Sequence, residues 1–293
     1  MENTAKVTKF LSSNYAYLIW FVLYFTIAWI ILGANSNSFI IVSIIYGISI
    51  GIALSPIGEE ILRAMENCRD PATEQEINYL LPMFEEVYQN AKEINPNLKD
   101  GINLFIMDAM YVNAFAMGRK TIAVTQGAIN TFTEDELKGV LAHELGHIIH
   151  GHTKALLLSV IGNFFFSVIV WVLKLLLNII QLFSNIGARF NVIGIIFAVI
   201  TFITRILFDV SVLVFINLSQ IILALNSRAN EIQADTFAYE IGYGKELISG
   251  MYVLQKISMN TRLKLTEKLK ASHPHIADRI KHLEWLENES IEE

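Results

Sequence analysis

Apolar and polar positions are gathered into blocks along this chain. Residues 15–33 read YAYLIWFVLYFTIAWIILG, 19 positions without a formal charge. About 20 apolar residues form a helix long enough to cross a bilayer. Tyr15, Tyr17 and Trp20 sit near one end, where interface aromatics collect. Lys6 and Lys9 precede the block, as in a cleaved signal peptide. The length of the block and the second one close behind it argue for a span instead. After the polar linker ANSNS at 34–38, the second block, 39–58, carries Ser43, Gly47, Ser49, Gly51 and Ser55. Small residues of this kind let membrane helices approach closely, so the two blocks read as a helical hairpin. A third block runs 155–177, with Asn163 inside and Lys174 near its end, where the ammonium can snorkel. A fourth runs 192–216, and its helix extends towards Leu225. Inside it, Arg205 and Asp209 stand four apart on one face and can pair, directed at the bundle or an aqueous cavity.

The stretch 59–154 has a different pattern. Between Glu59 and His152 there are 15 acidic and 7 basic residues, the mark of a water-facing segment. Residues 74–92 mix apolar and charged positions at helical spacing, which predicts a helix interrupted at Pro82. Three β-like runs follow, at 102–107 (INLFIM), 110–116 (MYVNAFA) and 121–125 (TIAVT), with a hairpin turn at 118–120. Thr133 and Glu136 then form a capping box with acids in the first turn, opening a helix that runs to His150 and ends or bends at Gly151.

Composition sharpens this picture. Of the 293 residues, 53% are apolar and 17% charged, with a net charge of -6. The single cysteine, Cys68, excludes an intrachain disulfide and a thiolate metal cage. Lys and Arg form no long run, which argues against a nucleic-acid partner. The segment 256–270 holds five Lys or Arg and one Glu, a solvated face that can also touch anionic lipid. Lys6, Lys9, Arg63 and Arg69 flank the first hairpin, while the linker 34–38 has no basic residue. This bias places both termini and the segment 59–154 on the cytoplasmic side of four spans.

Positions 143–147 read HELGH, an H-E-x-x-H pattern on the capped helix. Imidazoles at i and i+4 lie about 40° apart around a helix axis, so His143 and His147 can reach one metal ion. Zinc suits such nitrogen and oxygen ligands. Glu144 is then placed as general base towards the attacking water. A third ligand is needed. Glu231 can supply it, and Asp235, four residues on, can accept a hydrogen bond from a ligand imidazole. On spacing alone, that pair reads equally as a solvated helix face. His150 and His152 read as interfacial or packing residues.

NAFA at 113–116, HELGH at 143–147, SRANEIQAD at 227–235 and SHP at 272–274, in this order between the apolar blocks, resemble the HtpX family of integral-membrane zinc metalloproteases, relatives of the CAAX prenyl proteases. The resemblance covers nearly the whole chain. It implies a predominantly α membrane protein with four transmembrane helices and a cytoplasmic α+β, zincin-like catalytic domain containing a small sheet. It implies one zinc ion on His143, His147 and Glu231, with Asp235 bracing a ligand. It implies substrate binding along an edge strand at Asn113 and Ala114, and contacts from His273 and Arg279 to the reacting carbonyl. The domain reading is a transmembrane hairpin at 1–58, a first catalytic segment at 59–154, a second transmembrane hairpin at 155–216 and a second catalytic segment at 217–293. The implied activity is endopeptidase cleavage of misfolded or damaged membrane proteins at the plasma membrane. A prenyl-peptide protease and a zinc-stabilised scaffold without turnover are the alternatives. Met117-Gly118 in place of Thr-Gly, and His275 after SHP, depart from the family pattern without touching the metal set.

Overall fold

The computed structural model describes residues 15–96, 98, 100–258 and 276–292. Helices α1 (Tyr15–Ile31) and α2 (Ser36–Ala53) form the expected hairpin. Asn35 caps α2: its side chain accepts from the Ser38 N–H at 2.9 Å. Trp20, Tyr24 and Ala28 of α1 pack on Val42 and Tyr46 of α2. Ile169 and Val170 of α7 (His152–Gly187) and Phe215 of α8 (Val192–Glu240) join them, so all four apolar blocks share one cluster. Among the described residues, Ser36–Ala53, Ser167–Gly187 and Val192–Asn217 are long and apolar enough to cross a membrane, and Leu18–Ile31 is a shorter apolar helix. Protein covers few side chains along Val192–Asn217: Ile193, Ile196, Phe197 and Ile200 all point outward. A helix so largely apolar and left unburied by protein is suited to lipid.

Both later helices run further than the blocks suggest. Helix α7 continues through the expected linker to Gly187, and Asn191 caps α8, accepting from the Gly194 N–H at 2.7 Å. Helix α8 then proceeds unbroken through position 216 to Glu240, carrying the chain from the apolar helices to those packed around the sheet. Asp209, expected opposite Arg205, meets Lys174 of α7 at 2.8 Å. Two helices that pack side by side offer each ion a partner across the contact.

The remaining elements form a four-stranded sheet wrapped by helices. In chain order they are α3 (Pro56–Met65), β1 (Cys68–Arg69), α4 (Glu74–Ile94), β2 (Asn103–Met107), β3 (Ala114–Met117), β4 (Thr121–Thr125), α5 (Gln126–Thr131), α6 (Glu134–His150), α9 (Gly244–Ser258) and α10 (Ile276–Glu292). The strand order is β1-β2-β4-β3; β2 and β4 are parallel and the outer pairs antiparallel. All five β4 side chains are buried, as in a central strand covered on both faces. One face carries the main core, in which Leu80, Val87, Ile106, Ile122, Leu141 and Leu145 are fully buried. Glu59 secures the β3–β4 turn, where Gly118 has φ +60°: its carboxylate accepts from the N–H groups of Arg119 and Lys120 and from the Thr121 hydroxyl.

Two expectations need correction. Pro82 lies inside an unbroken α4. It is exposed, as is Asn78 one turn earlier, so the carbonyl left without its amide partner can be solvated. The strand expected at 110–116 is shorter and later, at Ala114–Met117. Residues 108–113 instead carry the chain from β2 to the far side of β4, and the Gly127 N–H holds this loop through the Ala109 carbonyl at 2.9 Å. Crossing to the far edge removes those residues from pairing despite their β propensity.

Candidate active site

Helix α6 supplies the first half of the site. Thr133 and Glu136 form the expected capping box, and Gly151, with φ +76°, closes the helix in the left-handed conformation. His143, Glu144 and the intervening face of α6 are buried. Helix α8 supplies the second half. The two helices touch at Gly146, where a Cβ would stand 2.9 Å from Ala234 Cα. The glycine of HELGH thus lets α8 come close enough to bring Glu231 and Asp235 against the histidines. Gly139 does the same for α9, since a Cβ there would stand 2.4 Å from the Leu247 nitrogen.

At that crossing, His143 Nε2 and His147 Nε2 lie 3.1 Å apart. Each is 3.4 Å from a Glu231 carboxylate oxygen, His143 from Oε2 and His147 from Oε1. These three are the one group among the described residues placed to hold a metal ion. The spacing fits one: tetrahedral ligands about 2.0–2.1 Å from zinc stand about 3.3 Å from one another. Two imidazole nitrogens and a carboxylate, the latter and His143 buried, also form a donor set suited to a divalent cation.

The surroundings orient these ligands. His143 Nδ1 donates to Asp235 Oδ1 at 2.9 Å, which leaves Nε2 for the metal. Asp235, fully buried, accepts the Arg279 fork at 2.8 Å from Nε and 2.6 Å from Nη2. Arg279 Nη1 reaches Glu231 Oε2 at 2.9 Å. Burial opposes charge on Asp235, but hydrogen bonds from Arg279 and His143 hold its carboxyl below the usual range. Burial also opposes charge on Arg279, and Asp235, Glu231 and Glu144 together raise its pKa. Burial and Arg279 push His143 down, yet Asp235 and Glu231 outweigh them and its pKa rises to about 9. Burial, with His147 and His150 nearby, pushes His152 down to about 3.

Of the residues singled out in the sequence, the structure brings His143, Glu144, His147, Glu231, Asp235 and Arg279 together. His273 lies outside the described residues. Asn113 and Ala114 sit at the start of the outer strand of the sheet. Asn113 is exposed; its N–H meets the Thr125 hydroxyl and its carbonyl accepts the Thr125 N–H, both at 3.0 Å. Antiparallel bonding alternates, so Ala114 and Ala116 direct their N–H and C=O groups away from β4, to the side of β3 that pairs with no strand among the described residues. His150 donates through Nδ1 to the Gly146 carbonyl at 2.8 Å. His152 and Gln233, to which sequence reasoning assigns no role in the site, also belong to it. His152 Nδ1 stands 3.0 Å from His147 Nδ1, and His152 Nε2 stands 3.1 Å from Gln233 Oε1. The signal for His152 is its position beyond Gly151, where a left-handed cap turns the chain back on itself.

The chain is similar to known proteins. Residues 76–287 match peptidase family M48. Protease HtpX of Glaesserella parasuis serovar 5 is 25% identical over 96% of this chain and 99% of its own length. Protease HtpX of Aliivibrio fischeri (strain MJ11) is also 25% identical, over 96% of this chain and 99% of its own length. Among solved structures, S. mikatae Ste24p aligns at 20% identity over 96% of this chain and 65% of that one, with a TM-score of 0.48. The chain belongs to peptidase family M48 and is an HtpX-family metalloprotease.

Proposed function

We propose that this protein is a four-span zinc endopeptidase of the plasma membrane, with a zincin-like catalytic region and both termini in the cytoplasm. Its proposed substrates are misfolded or damaged membrane proteins. The observation that carries the catalytic reading is the triangle of His143, His147 and Glu231, two of them buried and His147 half-buried, with Glu144 on the same helix as the histidines. Zinc, when bound there, supplies Lewis acidity that polarises a carbonyl and acidifies water. The chain's own residues do the rest. A substrate segment adds to the open edge of β3, hydrogen-bonding the outward groups of Ala114 and Ala116, with Asn113 at the strand's entry. Backbone pairing of this kind is tolerant of side-chain identity, as clearance of damaged proteins requires. Glu144 takes the proton of the attacking water and passes it to the leaving amine. Asp235 holds His143 in the ligating tautomer, and Arg279 holds Asp235 and Glu231 in place. His273 and Arg279 are the proposed donors to the developing oxyanion.

Glu144→Gln tests the role of the base. The variant is expected to keep its zinc and to lose cleavage of a detergent-solubilised membrane protein by about two orders of magnitude or more. Undiminished cleavage would remove Glu144 from the mechanism. Trimming of a farnesylated peptide without cleavage of ordinary membrane proteins would favour the prenyl-peptide reading.

A further inference from the structure

The two candidate ligand histidines are braced differently. His143 gives its Nδ1 proton to a carboxylate, Asp235, itself held by Arg279. His147 turns its Nδ1 towards another imidazole, His152, at 3.0 Å. His152 is 5% exposed, stacks on the His150 ring with planes 15° apart, and directs its other nitrogen to Gln233 Oε1 at 3.1 Å. The geometry follows from the chain: Gly151 ends α6 in the left-handed conformation and starts α7, so His152 folds back beside His147. Gln233 comes from α8, two residues beyond Glu231.

Two neutral imidazoles can share the contact between His147 and His152 in only two ways. If His152 donated, His147 would carry its proton on Nε2, the atom facing His143 and Glu231, and could not bind metal there. If His147 donates, its Nε2 is free. His152 must then accept on Nδ1 and carry its own proton on Nε2, which the Gln233 carbonyl oxygen is placed to accept.

We infer that His152, locked by Gln233, is a positioning residue that accepts the His147 Nδ1 proton and so fixes the tautomer in which His147 can ligate. The inference deepens the metal-site reading and rests on it. One ligand is thus backed by a charged carboxylate and the other by a neutral relay. The neutral relay draws less electron density into the imidazole, leaving a bound cation more electrophilic than two carboxylate-backed histidines would.

The test is zinc affinity, measured by chelator competition on the full-length protein in detergent. His152→Leu, which has no acceptor, is expected to bind zinc about 10–100-fold more weakly. His152→Asn, whose amide oxygen can take the place of Nδ1, is expected to stay within a few-fold of wild type. Gln233→Leu is expected to lose part of the affinity, and the double variant His152→Leu, Gln233→Leu to lose no more than His152→Leu alone, because the two act in one chain. Equal zinc affinity in His152→Leu and wild type overturns the inference, and so does an equal loss in His152→Leu and His152→Asn. If His152→Leu does not fold, Gln233→Leu decides alone: unchanged affinity overturns the inference and a fall supports it. Failure of the wild type itself to bind zinc would instead sink the metal-site reading.

Discussion

Three carboxylates surround His143, and their contacts separate their work. Glu231 faces both candidate ligand imidazoles, Asp235 accepts from His143 and Arg279, and Glu144 sits beside His143 on α6. Asp235→Asn keeps an acceptor for His143 but removes the charge that strengthens it and balances Arg279. Zinc affinity by chelator competition is expected to fall about 10–100-fold. A fall too small to measure would make Asp235 a packing residue. Far from the site, Arg69 binds Glu76 at 2.7 Å and Asp108 at 2.8 Å. Glu76 also accepts from the N–H groups of Ala72 and Thr73, and with Arg69 they hold its carboxyl far below its usual range. A depressed carboxylate stabilises the fold above its unfolded pKa, and that stabilisation is lost as pH falls below about 4.5 towards the folded value. Glu76→Gln is therefore expected to unfold at lower temperature than wild type at about pH 7, with the difference shrinking progressively as the pH is lowered from about 4.5. Thermal unfolding at several pH values checks this; a difference that grows in acid would contradict it.

At the scale of elements, the site depends on how closely α6 and α8 approach and on an open sheet edge. Gly146→Ala places a methyl group 2.9 Å from Ala234 Cα, so one helix must shift. Overpacking of this kind costs about 1–3 kcal/mol, and here the shift also parts Glu231 from the histidines. Both the unfolding temperature and zinc affinity are expected to drop together. On β3, Ala114→Pro removes an N–H that faces away from β4 while sparing the bonds that Asn113 makes. KM for a polypeptide substrate is expected to rise with little change in thermal stability; an unchanged KM would exclude β-augmentation at this edge. Much of this scale is legible in the sequence. Thr133, Glu136 and Gly151 mark both ends of α6, and TIAVT marks β4 to the residue, because caps and a buried central strand are local signals. The MYVNAFA run reads as a strand that starts too early, because its pairing depends on where the chain crosses β4, which is not local. The role of Gly146 and the His147–His152–Gln233 chain depend on a helix crossing, and no spacing within one element reveals it.

For the whole molecule, the ligands lie on either side of a long excursion. The chain leaves the site after His152, runs through α7, returns along α8 and re-enters at Glu231. The 49 residues of α8 rise about 70 Å, more than twice the hydrocarbon thickness of about 30 Å. One helix therefore lines the apolar region and carries Glu231 of the candidate metal group. The apolar cluster around Trp20 and Tyr46 contains no residue of the metal group. Chelation is thus expected to lower the unfolding temperature while preserving helical content, and zinc at about 100 times its Kd is expected to restore about 2.7 kcal/mol. The central claim is that His143, His147 and Glu231 hold a catalytic metal that Glu144 serves as base. It is tested most directly by measuring zinc content and proteolysis together on wild type, Glu144→Gln and Glu231→Ala. Zinc with cleavage is expected in the first, zinc without cleavage in the second, and neither in the third. Full zinc occupancy and full cleavage in Glu231→Ala would contradict it.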